Sequence, residues 1–141
     1  MRADDDVQAA VIALLDEFTT LVSDRNVDGV CGLFLDDPDV TYLGSEPEDA
    51  ATGPKQLREL MTRVLKRPQT YVIRWQTRLV SARGDAAWVA ADTMVHVRID
   101  DLEWRGPYRV SVIVEYRGGR WLIAHFHGSE PSGFEPVPPE G

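Results

Sequence analysis

The 141-residue sequence predicts an α+β fold in which three N-terminal helices pack on a curved, mainly antiparallel sheet. Three observations carry this. Apolar residues recur at helical spacing in three early segments. After Pro68 the apolar period drops to two and stays there through residue 128. The segments beyond it are joined by Gly84-Asp85, Asp100-Asp101 and Gly118-Gly119, and a Gly-Gly step between alternating runs is a strong hairpin signal because tight primed turns need positive φ.

The elements follow in order. Val7, Val11, Leu14, Leu15, Phe18, Leu21 and Val22 share one face of a helix over residues 4–24. Asp4, Asp5 and Asp6 supply its capping oxygen and the negative charge that a helix start favours. "NVDGVCGLFLDDPD" reads as a second, short helix with Val27, Val30, Cys31 and Phe34 on one face, stopped by Pro38. "DVTYLG" is a short strand and "SEPEDAATG" a loop. Gly53-Pro54 opens a third helix, since proline suits the first turn, and Leu57, Leu60, Met61, Val64 and Leu65 form its stripe. Four long strands follow at about 69–82, 86–99, 104–117 and 120–128. The tail "EPSGFEPVPPEG" is expected to trail over the surface or to be disordered, giving one domain at 1–130 and a Pro/Gly-rich tail at 131–141.

Composition narrows the function. A net charge of −8 and a pI near 4.8 disfavour nucleic acid and anionic membrane, which need a basic footprint. The single cysteine, Cys31, cannot form an internal disulfide and fits a reducing compartment. The start "MRADDDVQAA" is acidic where a signal peptide is basic, and no apolar run reaches the roughly 20 residues that span a bilayer. A cytoplasmic location is the expectation.

The order helix, helix, strand, helix, four strands resembles the cone-shaped nuclear-transport-factor-2-like fold, whose members include SnoaL-like polyketide cyclases, ketosteroid isomerases and scytalone dehydratase. "DDPDVTYLGSEPEDAATG" resembles the SnoaL-like pattern of an Asp-Pro step, a strand ending in glycine, and a glycine opening the third helix. "GDAAWVA" and "YRGGRWLIAHFHGSEPS" are similar to the association domain of calcium/calmodulin-dependent protein kinase. The resemblance implies a cavity between sheet and helix, and dimers through the sheet. It also implies basic cavity residues at Leu57, Thr93, Ile113 and Gly128, and this sequence departs from the pattern at all four. The base of a ketosteroid isomerase would fall near Thr41 or Tyr42, and neither is a carboxylate.

Register assigns the faces. A two-residue Gly118-Gly119 turn sets Arg117 opposite Arg120, groups Val114 with Ile123, Val112 with His125 and Val110 with His127, and puts Ser111 with Phe126 and Arg109 with Gly128 on the other face. A three-residue Arg83-Gly84-Asp85 loop pairs Ala82 with Ala86 and sets Trp75, Ile73 and Tyr71 opposite Thr93, Val95 and Val97. The face with Trp75 and Ser111 is taken as inward. Tyr42, Trp75, Thr93, Arg109, Ser111 and Phe126 are therefore the candidate ligand-binding residues. The face with Val110, Val112, Val114, His125 and His127 is the expected homodimer surface.

His125 and His127 stand two apart on a strand and could ligate a metal, with His96 or Asp92 as a third ligand. No third ligand stands at a fixed spacing, so packing at a subunit interface is the favoured reading and no metal is expected. Cys31 reads as a small core residue and "DDPD" as a solvated helix end. Two function classes remain. One is a small-molecule-binding or association module with a mostly apolar cavity. The other is a cyclase, isomerase or dehydratase that uses Tyr42, Asp92, Arg109 or a histidine for acid–base chemistry on an apolar carbonyl compound. Neither needs an organic cofactor.

Overall fold

A computed structural model describes residues 1–139. The order is α1 (Asp5–Ser23), α2 (Val27–Cys31), β1 (Thr41–Leu43), β2 (Ala50–Thr52), α3 (Pro54–Leu65), β3 (Thr70–Arg83), β4 (Ala86–Ile99), β5 (Leu102–Arg117), β6 (Arg120–Ser129) and β7 (Glu135–Pro136). The sheet runs β2-β1-β6-β5-β4-β3, antiparallel except where β1 pairs with β6, and β7 adds to β5. The α+β class and the four long strands agree with the sequence. Of the three helices, α1 and α3 have full length, whereas α2 is five residues, and "SEPEDAATG" contains the strand β2.

Local chemistry explains the ends. Asp4 caps α1 by accepting from the Val7 amide at 2.9 Å, and Asn26 caps α2 by accepting from the Gly29 amide at 2.8 Å. Gly118 and Gly119 both take positive φ, as the tight β5–β6 turn requires. Arg25 follows α1 in a left-handed conformation, and its guanidinium donates to the carbonyls of Leu65, Arg67, Pro68 and Gln69 at 2.6–3.2 Å. Those carbonyls lie at and beyond the end of α3, where intrahelical donors have run out. Arg25 thus fixes the α3–β3 connection. At the other edge, Ala3 donates to the Val80 carbonyl and Ala82 to the Met1 carbonyl, so residues 1–3 cover part of the β3 edge.

Two β-bulges set the faces of the sheet. In β6, Val114 pairs with Ile123 but Ile113 pairs with His125, leaving Ala124 without an opposite residue. In β3, Trp75 pairs with Thr93 but Thr77 pairs with Asp92, leaving Gln76 over. Each extra residue bends its strand and exchanges the faces beyond it. Val110, Val112 and Val114 consequently point inward, at 4%, 1% and 0% exposure, together with Ile123 and Phe126. The expected dimer surface is corrected accordingly: the valines are core, and only His125 and His127 keep the outer face, beside Ile113 and Ser111. The β3–β4 turn is two residues, Gly84-Asp85, with Ala82 opposite Ala87; the bulge at Gln76 compensates, so the expected partners of Trp75, Ile73 and Tyr71 are the ones observed.

The core lies between α1, α3 and the inner sheet face. Phe18 of α1 packs at 5.1 Å from Phe126 and 6.4 Å from Phe34. Phe126 in turn stacks on Tyr42 at 4.8 Å with the rings nearly parallel. Arg78 ties β3 to α1 through Asp16 at 2.6 Å and lies over the Trp75 ring at 5.1 Å. Part of the tail is also docked: Phe134 packs on the backbone of Gly106, at a position where a β-carbon would collide with its ring, and Val137 donates to the Glu103 carbonyl.

Candidate functional site

Between α1, α3 and the inner sheet face lies a cavity of about 410 Å³. Its apolar wall comes from Val22 of α1, Met61, Val64 and Leu65 of α3, and Ile73, Val95, Val97 and Val110 of the sheet. Seven of the twelve aromatic residues of the chain line it: Phe18, Tyr42, Tyr71, Trp75, Tyr108, Phe126 and Phe134. Tyr71, Trp75 and Tyr108 reach it from the inner faces of β3 and β5, while Phe18 comes from α1, Tyr42 from β1, Phe126 from β6 and Phe134 from the segment after β6.

The polar groups come from the loops and the α3–β3 connection. Arg67 donates to Asp49 Oδ1 at 3.1 Å, and Arg63 stands 3.8 Å from the same oxygen. Asp49 is buried, which is tolerable for a carboxylate only with such partners. Burial works against the Arg67 charge, but hydrogen bonds with Tyr71 and Asp49 outweigh it and hold the guanidinium above its ordinary range. Burial also pushes the Tyr108 hydroxyl up; a hydrogen bond with Ser45 partly offsets this, and Glu130 and Asp49 add to it. Tyr42 is pushed up more strongly, by burial first and then by Tyr108, Asp49 and Tyr71, with Arg67 opposing. Ser45 donates to Glu130 at 3.2 Å, joining the β1–β2 loop to the segment after β6.

Of the six residues singled out from the sequence, Tyr42, Trp75 and Phe126 line the cavity. Thr93 is on the inner face but wholly buried, its hydroxyl donating to the Tyr108 carbonyl at 2.9 Å. Arg109 and Ser111 are corrected: both lie on the outer face, Arg109 against Asp92 at 3.3 Å, because the odd-numbered residues of β5 point away from the helices. The bulge at Ala124 is the reason, since unbulged pairing had joined Ser111 to Phe126. The sequence reading had not singled out Asp49, Arg67, Tyr71 or Tyr108 as site residues. Tyr71 could have been found, because it stands on the same alternating face as Trp75.

None of the histidines lines the cavity. His96 faces Glu103 at 3.0 Å across the β4–β5 hairpin. His125 and His127 have ring centres 6.5 Å apart, and Nδ1 of His125 is engaged by the Thr41 hydroxyl at 2.5 Å. Burial, then the neighbouring His127, holds His125 below the usual imidazole range. Trp75 carries a different signal: its Nε1–H is buried and has no acceptor among the described residues.

These features meet the comparisons with known proteins. The chain belongs to the SnoaL-like domain family, whose model matches residues 11–133. Solved structures with the same fold include the hexachlorocyclohexane dehydrochlorinase LinA-type3 from Novosphingobium barchaimii, at 17% identity and TM-score 0.78 over 95% of this chain and 96% of that one. A ketosteroid isomerase-like protein from Erwinia carotovora matches at 18% identity and TM-score 0.76, over 92% of this chain and 100% of that one. An association-domain-like protein of the calcium/calmodulin-dependent kinase II type from Xanthomonas campestris matches at 23% identity and TM-score 0.71, over 85% and 84%. At these identities the likeness is one of fold. No curated protein matches the sequence. No helix among the described residues is long and apolar enough to cross a membrane.

Proposed function

We propose that this SnoaL-like chain binds a small, largely apolar molecule in its cone cavity without transforming it. The observation that carries the reading is the aromatic-walled cavity of about 410 Å³, with a few polar side chains in its lining. Cavities of a few hundred Å³ with apolar walls and a few polar groups are the usual form of small-molecule sites. Chemistry is the weaker reading. With every histidine outside, acid–base catalysis would fall to Glu46, Asp49, Glu130 and the tyrosines; Asp49 is already engaged by Arg67 and Arg63, and Glu46 and Glu130 are exposed to water. A neutral apolar fluorophore such as N-phenylnaphthylamine is expected to bind saturably at one site per chain. Val64→Trp, which fills the space from the α3 side, should abolish that binding. No saturable binding to the parent, or undiminished binding to the filled variant, contradicts the reading.

The chain also acts, in this proposal, as a homodimer through the outer sheet face. Trp88 and Ile113 are directly opposed there and remain 43% and 44% exposed, with His125 opposite Ile113 and with Leu79 and His127 on the same face. An apolar group of that kind on one face marks an interaction surface. Sedimentation at micromolar concentration should give a dimer for the parent and a monomer for Ile113→Glu. A monomeric parent removes the dimer.

A further inference from the structure

The charges around the cavity say which kind of small molecule suits it. Its lining includes three carboxylates, Glu46, Asp49 and Glu130, against the single guanidinium of Arg67. Counting Arg63, which reaches Asp49 at 3.8 Å from outside the lining, still leaves the acids in excess. Arg67 is already committed to Asp49 and Tyr71. Glu46 and Glu130 make no ion pair among the described residues; Glu130 accepts only from the neutral Ser45 hydroxyl. An incoming carboxylate would therefore meet unpaired acids and would have to displace Asp49 from its cation. An incoming cation would meet the reverse situation. The negative faces of the aromatic rings favour the same sign.

We propose, on the reading that the cavity binds a small molecule, that its ligand is an organic cation: an ammonium group carried on an apolar, ring-containing body. The body packs among Phe126, Trp75 and Ile73, and the ammonium lies toward Glu46, Glu130 and the Tyr108 ring. Burial is the main reason that the hydroxyls of Tyr42 and Tyr108 resist losing a proton; Glu130 and Asp49 add to it at Tyr108, and Asp49 adds to it at Tyr42 against Arg67. This assigns a sign opposite to the acidic ligand that the basic cavity of the kinase association domain implies; the four positions expected to be basic, Leu57, Thr93, Ile113 and Gly128, do not line this cavity, and Ile113 lies on the outer face.

Calorimetric titration of the full chain with three probes of one shape tests this: naphthylmethylammonium, naphthylmethanol and naphthoate, at neutral pH. At an ionic strength of about 0.02 M the ammonium should bind about tenfold tighter than the alcohol, and the naphthoate more weakly than either. At about 0.5 M the ammonium advantage should shrink to about threefold, because rim charges are screened. In Glu46→Gln/Glu130→Gln, which changes only exposed side chains, ammonium and alcohol should bind nearly alike while the alcohol keeps its affinity. Equal affinities in the parent, or naphthoate binding tightest, overturn the cation assignment and leave the binding cavity standing. Failure of all three probes to bind overturns both.

Discussion

Gly128 links the fold to the cavity wall, and replacing it with alanine is a sharp perturbation. The residue is buried on β6 opposite Val110, and the ring of Tyr108 crosses directly over its α-carbon. A β-carbon there would sit well inside the van der Waals radius of the tyrosine ring and hydroxyl. Tyr108 must swing away, losing its hydrogen bond with Ser45. That bond contributes about 1 kcal/mol net. Overpacking adds about 1–3 kcal/mol, and the better strand preference of alanine returns about 0.5–1 kcal/mol. The expected loss is about 2 kcal/mol, or a melting temperature lower by about 4–8 °C. Urea unfolding of Gly128→Ala, Tyr108→Ala and the double variant isolates the cause. Once the ring is gone, Gly128→Ala should be neutral or stabilising by about 0.5 kcal/mol, giving a coupling of about 2 kcal/mol or slightly more. Equal costs in both backgrounds would refute the packing of Tyr108 on Gly128.

Three further outcomes follow from single contacts. Trp75→Phe deletes a buried N–H without an acceptor; because that orphan costs about 1–3 kcal/mol, urea unfolding should show stability within about 1 kcal/mol of the parent, and a loss above about 3 kcal/mol would mean that the N–H is no burden. Arg25→Ala removes four hydrogen bonds at the α3–β3 connection; the same assay should show a loss of about 2–3 kcal/mol, with Arg25→Lys recovering less than half, since an ammonium cannot reproduce the fork. His125 is held below the ordinary imidazole range, so over that window the unfolded chain binds more protons than the folded one. Stability should therefore be unpenalised above the unfolded pKa of about 6.5 and fall as pH drops through it to the lowered folded value. Melting curves should show that slope, and His125→Asn should flatten it.

The long strands could be read from the sequence because alternation runs through most of their length and glycines mark two of the three turns. Trp75 was accessible for the same reason, whereas Tyr42 stood out only by its place on the first strand and Phe126 only by a pairing with Ser111 that the bulge in β6 removes. The faces of β6 were not, since a bulge exchanges every later side chain and leaves only a faint trace. That trace is the spacing of three between Ile123 and Phe126, where an even number was due. The spacing of five from Trp75 to Val80 marks the bulge in β3 in the same way. Gly128 was read as a missing basic side chain, and its role as a seat for Tyr108 depends on a neighbouring strand. Asp49 and Arg67 come from a loop and a helix end, where no period points to a face and only the folded chain brings them together.

Native mass spectrometry of the untagged, gently purified chain asks directly whether the aromatic cavity holds a small molecule. A stoichiometric adduct of a few hundred daltons or less, bearing an amine and lost in Val64→Trp, is the expected result. Parent protein that shows only the bare polypeptide mass, and takes up none of the ammonium, neutral or carboxylate probes, would contradict it.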